Sequence, residues 1–175
     1  MKLRQFFPLV LFCAISCTPK VIPLKNSYDD KPFEMTAGKD FEQVWSNTIE
    51  FFAKSGISIK IIDKSSGLIV ATATQADVTA EDKNGKLINP DAWAVAEKIY
   101  EPGSNRTYYA KVGTIEWNVF LKKATETSTT VNINLISVVT ITVAQAGFAT
   151  PIAKTFKTRS RTTGVWEKTV FEKIK

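Results

Sequence analysis

The stretch Asp40–Thr74, DFEQVWSNTIEFFAKSGISIKIIDKSSGLIVATAT, reads as one amphipathic helix running into a β-hairpin, and the rest of the chain is arranged around it. Phe41, Val44, Trp45, Thr48, Ile49 and Phe52 recur at the spacing of a single helix face, with Glu42, Gln43, Asn47, Glu50 and Lys54 mostly opposite. Such a stripe has to be buried. Asp40 followed by Gln43 has the form of a capping box, and Gly56 stands where a left-handed C-terminal cap is needed. Beyond Gly56 the period changes to two. Ile57, Ile59 and Ile61 alternate with Ser58 and Lys60, the residues Asp63–Gly67 suit a turn, and Leu68–Thr74 forms the returning strand.

Moving outward towards the C-terminus, the alternation is clearest where Ile115, Trp117, Val119 and Leu121 point one way and Glu116, Asn118, Phe120 and Lys122 the other. Val131, Ile133 and Leu135 repeat it against Thr130, Asn132 and Asn134, and the short polar link from Lys123 to Ser128 predicts an antiparallel hairpin. The apolar run Ile136–Ala153 prolongs the sheet and crosses a loop at Gly147–Pro151. Lys157, Arg159 and Arg161 alternate with Phe156, Thr158 and Ser160, which places three cations on one strand face. Thr163–Lys175 predicts a second helix, with Val165, Trp166, Val170, Phe171 and Ile174 inward and Glu167, Lys168, Glu172, Lys173 and Lys175 outward. The expected class is α+β, an antiparallel curved sheet with an N-terminal and a C-terminal helix packed on one face.

The segment Gln75–Asn105 has a weaker pattern. Asn84-Gly85 predicts a type I′ turn between Val78–Asp82 and Lys86–Ile88, which accounts for Glu81, Asp82 and Asn84 better than a calcium loop lacking its distal glutamate. Ala92–Lys98 fits a strand or a short helix. Glu101-Pro102-Gly103-Ser104 is a loop.

Met1–Ser16 reads as a signal peptide: Lys2 and Arg4 precede the apolar run Phe6–Ile15, which is too short for the roughly 20 residues that span a bilayer. Ala14-Ile15-Ser16-Cys17 then resembles a bacterial lipobox, with Cys17 as the lipidated N-terminus; Ala14 and Ser16 also suit ordinary signal peptidase at the same bond. Cys13 fails because Phe12 precedes it. Removing Lys2 and Arg4 lowers the formal charge from +6 to +4 and leaves a mature chain with no second cysteine for a disulfide. The polar, proline-containing stretch 17–31 is expected to be a flexible tether, and 32–175 a single domain with its own core, Pro32–Met35 adding a first strand.

Trp45 within a helix, Gly56, the isoleucine-rich strand, Asp63 with a Ser-Gly turn into LIVAT, and the later TTGVWEKTVFEKI together resemble small bacterial envelope lipoproteins. The likeness is to the helix-grip domain of the C subunit of the outer-membrane β-barrel assembly machinery. It implies a lipid-anchored protein of the envelope, with the outer membrane favoured and the domain in the periplasm or at the surface. It implies no catalytic residue.

Histidine is absent from the sequence, so Ser-His-Asp and Cys-His sites are excluded and most zinc sites lose their usual ligand. No phosphate loop or GxGxxG occurs, and neither a cofactor nor a metal is expected. Glu97, Glu101 and Glu116 are the carboxylates that a glycosidase pair would draw on, though nothing marks them as paired. Nucleic acid is not an expected partner for a chain sent out of the cytoplasm.

The expectation is therefore a non-enzymatic protein-binding or assembly-accessory module, with a membrane contact through its lipid and an envelope protein as partner. Phe120, Lys157, Arg159 and Arg161 are the candidate contact residues. The alternative is a carrier or sensor for a small apolar ligand held between sheet and helix. Its groove would be lined by Trp93 and Tyr109, with Tyr108 and Trp117 nearby, residues that equally suit a core.

Overall fold

In a computed structural model the described residues are 18–28, 33–136, 138–145 and 152–175; the expected signal peptide and Cys17 lie outside them. The helix expected after Asp40 is α1 (Phe41–Ser55), and both its ends form as the residues dictate. The Asp40 carboxylate accepts the Gln43 amide at 2.9 Å, while Gly56 closes the helix at φ 65°. Val44, Trp45, Thr48 and Phe52 are buried. Strand β1 (Lys20–Ile22) and strand β2 (Phe33–Ala37) precede it.

After α1 come β3 (Ile59–Asp63) and β4 (Leu68–Ala71), the expected hairpin. The alternation fails in β3. A register shift between Ile59 and Ile61 turns the strand, leaving Ile61 47% and Ile62 54% exposed on an edge that pairs only with β4.

The weakly patterned middle contains β5 (Thr74–Thr79), β6 (Ala94–Ala96), β7 (Lys98–Glu101) and β8 (Arg106–Tyr108). The run Ala92–Lys98 is extended rather than helical. β6 lies parallel to β5, pairing Val78 with Ala94, so the sheet is not wholly antiparallel as expected. The connection 80–93 is long enough to bring the chain back to the end from which β5 started, which a parallel pair requires. Within it, Asp82–Gly85 forms the turn, but only Gly85 takes a positive φ, and the expected type I′ geometry is replaced. The Asp82 carboxylate accepts the amides of Asn84 and Lys86 at 2.7 and 2.9 Å instead.

The chain continues through β9 (Val112–Thr125), β10 (Ser128–Ile136), β11 (Val138–Gln145) and β12 (Ile152–Thr162) to α2 (Val165–Ile174). The larger sheet runs β11-β12-β6-β5-β9-β10-β2, with β4 joined to β9 beyond β5 and β3 outside β4. A separate small sheet runs β1-β7-β8. The molecule is thus α+β, mostly a curled sheet with two helices among the described residues.

Strand β9 alternates as expected, burying Ile115, Trp117, Val119 and Leu121. Trp117 is the centre of the core. Its ring stacks on Phe52 at 5.0 Å, meets Trp166 edge-on at 5.3 Å, and its Nε1 donates to Thr74 Oγ1 at 3.3 Å. Trp166 in turn stacks on Trp93 at 3.7 Å.

One inward position of α2 is charged. Glu167, expected outward, is fully buried, because Glu167, Val170 and Ile174 follow the i, i+3, i+7 stripe. Neither carboxylate oxygen makes a well-formed hydrogen bond, although the Thr162 hydroxyl and the residue's own amide lie near. Burial raises its pKa, and the Thr162 hydroxyl and its own amide oppose this without cancelling it.

Candidate functional site

The outer face of β9 carries Phe120, 37% exposed, opposite Leu68 of β4 on one side and Asn132 of β10 on the other. Phe120 lines a groove of about 800 Å³ together with the start of α1 (Asp40, Phe41, Glu42), the turn Lys64–Gly67, and Leu121, Lys122, Lys123 and Glu126. Several local devices shape this groove. The Asp63 carboxylate accepts from Ser65 and Ser66, and those hydroxyls hold its pKa below the usual range. Gly67, at φ 77°, lies so close to β9 that a Cβ would stand 2.0 Å from the Leu121 carbonyl oxygen. Its own carbonyl accepts the Leu121 amide at 2.9 Å. Ion pairs Glu42–Lys64 at 2.6 Å and Lys123–Glu126 at 2.7 Å lie beside Phe41 and Phe120, the apolar side chains of the groove, while Leu121 turns its side chain into the core.

The cationic row lies elsewhere. Lys157 and Arg159 are exposed and Arg161 is half-buried on β12, three strand positions from β9 in the sheet order. Phe120 and the three cations therefore do not form one site. Arg159 and Arg161 instead line a polar cleft of about 270 Å³ with Glu97 and the segment Pro23–Tyr28.

That segment belongs to the stretch 17–31, expected to be a loose tether, and its described part is docked. The Glu81 carboxylate accepts the backbone amides of Lys25 and Asn26, the latter at 3.0 Å, and the Tyr28 hydroxyl at 2.9 Å. Asn26 Nδ2 also donates to the Gly85 carbonyl at 2.6 Å. Burial acts to raise the Glu81 pKa, but these donors outweigh it and hold the carboxyl below its ordinary value. Sequence reasoning missed Glu81 as a clamp. Its donors are backbone amides more than fifty residues away, and no local pattern encodes them.

Trp93 and Tyr109, the expected groove pair, are both half-buried, and neither lines the two openings just described. One face of the Trp93 ring is occupied by Trp166. Tyr108 donates to Glu101 at 3.2 Å, and Ser104 does so at 2.7 Å. The three carboxylates considered for hydrolysis are thus differently placed: Glu101 is buried under these hydroxyls, Glu97 lies in the arginine cleft, and Glu116 is exposed on β9. Among the described residues no helix is long and apolar enough to cross a membrane. No protein-family model matches the chain, and no curated protein matches it either.

Proposed function

We propose that this chain is a non-enzymatic lipoprotein of the bacterial envelope, anchored to the outer membrane by lipid on Cys17, whose domain binds another protein within an assembly or transport complex. The observation that carries the reading is the groove around Phe120, an exposed aromatic set beside Phe41 within a largely polar and charged lining. A central aromatic within a polar rim is the usual anatomy of a protein contact. A binding role also suits a sequence without histidine or a phosphate loop.

In this reading the fold is helix-grip-like, with both helices on one face of the curled sheet. The contact between α1 and α2 and the shared packing of Phe52, Trp117 and Trp166 support it. The outer face of β9 and β10 is then left for a partner. A carrier of small apolar ligands has less support, because Trp166 already fills the space against Trp93.

The test is a crosslinked pull-down from native envelopes with Phe120→Ala. Phe120 is exposed, so the variant should fold normally and lose a stoichiometric protein partner. An unchanged set of captured proteins would remove the groove as the contact site. Intact mass of the mature chain checks the anchor separately, with two or three acyl chains expected on Cys17.

A further inference from the structure

Only Thr18 and Pro19 separate Cys17 from β1, which is held at Lys20–Ile22 by antiparallel pairing with β7. Three peptide units limit the Cys17 Cα to about 11 Å from that of Lys20. Further along, Glu81 clamps Lys25, Asn26 and Tyr28, so the start of the chain is fastened to the body at two successive places.

The register says which part of the body lies beside the anchor. Lys20 is opposite Tyr100 and Val21 opposite Ile99, so the chain running back from Lys20 towards Thr18 passes Glu101 and the turn that follows it. β8 continues this end of the sheet, with Arg106 opposite Glu101. Lys20, Gly103, Asn105 and Arg106 are exposed here, and Val21 beside them is 52% exposed. The carboxylate at this end, Glu101, is buried and accepts from Ser104 and Tyr108. The exposed charges at this end of the sheet are the cations Lys20 and Arg106, on opposite faces of the sheet, with Arg106 across from Glu101. A cationic hairpin tip within three peptide units of an acyl-bearing residue fits an anionic headgroup surface.

We infer that the β7–β8 tip, with Lys20 and Arg106, seats directly on phospholipid headgroups, and that the domain stands on the bilayer in a fixed orientation rather than swinging on a tether. This rests on the reading that Cys17 is acylated. The two can fail separately.

With Cys17 acylated, an introduced cysteine is the single free thiol of the mature chain. The acylated protein with Gly103→Cys, labelled with an environment-sensitive fluorophore, is reconstituted in vesicles of phosphatidylethanolamine and phosphatidylglycerol containing headgroup spin-labelled lipid. Thr127→Cys, in the turn between β9 and β10, is labelled in parallel. Quenching at residue 103 should exceed that at residue 127 several-fold. Combining Lys20→Glu with Arg106→Glu should reduce the quenching at residue 103, and salt should weaken it in the unreversed protein.

Equal quenching at the two positions, with Cys17 shown by mass to be acylated, overturns the seating and leaves the lipoprotein reading intact. Strong quenching at residue 103 that charge reversal leaves unchanged overturns the headgroup contact. An unmodified Cys17 ends both.

Discussion

The body of the larger sheet and the small β1-β7-β8 sheet are held by different forces. In the first, Phe52, Trp117, Trp166, Val119 and Ile133 exclude water, and the carboxylate buried there, Glu167, makes no well-formed hydrogen bond. In the second, three short strands bury little, and the N-terminal segment beside them is kept in place by one carboxylate accepting amides and a hydroxyl. Apolar burial is insensitive to pH, whereas a carboxylate clamp depends on its charge. The core thus rests mainly on apolar burial, and the docking of the N-terminal segment draws on the charge of Glu81.

The largest effect should come from the core. Trp117→Ala removes a fully buried ring packed against Phe52 and Trp166, and should cost about 3 to 5 kcal/mol in urea unfolding. A loss near that of an exposed residue would mean that the rings are not the common core of helices and sheet.

Removing the clamp should be milder and local. Glu81→Gln puts an amide donor against backbone donors, and should cost roughly 2 kcal/mol, the scale of a hydrogen bond to a charged group. Hydrogen exchange should speed up at Lys20–Tyr28 while β9 and β10 stay protected. In the unmutated chain the Glu81 pKa is lowered on folding. Its contribution is thus complete above the unfolded carboxyl value of about 4.3, and is lost as pH falls from there through the folded value. Exchange in residues 18–28 that is indifferent to both the mutation and acid would separate Glu81 from the docking.

The smallest effect should have the opposite sign. Folding raises the Glu167 pKa, so the native state binds the extra proton and stability falls as pH rises from the unfolded value through the folded one. Glu167→Gln should therefore stabilise the protein at neutral pH by about 1 kcal/mol, and the gain should fade below pH of about 4. A destabilised variant at pH 7 would reveal a partner for the carboxylate.

The same contrast explains what could be read from the residues. Asp40, Gly56 and the two faces of β9 are local signals, and caps and alternation are complete within a few positions, so these elements formed as expected. Ile61 departs from the alternation because a register shift, set by how β3 meets β4, turns it outward. The charge of Glu167 points to the polar face, although its spacing places it on the buried stripe. The docking of residues 18–28 was invisible because its partner, Glu81, lies across the fold. For the candidate site, Phe120 was legible from alternation, and the start of α1 and the Lys64–Gly67 turn that complete its groove were not. Lys157, Arg159 and Arg161 share a strand face, yet the N-terminal segment walls in only the last two.

The stack of Trp93 on Trp166, centroids 3.7 Å apart and planes 17° from parallel, joins the residue just before β6 to the first turn of α2. Each indole shields one face of the other from water, so both would be exposed together, with a shift in tryptophan emission, if the last helix left its seat. The protein thus carries an unlabelled optical gauge of whether its last helix is seated, one that responds to a separation of a few ångströms even while the helix itself stays intact.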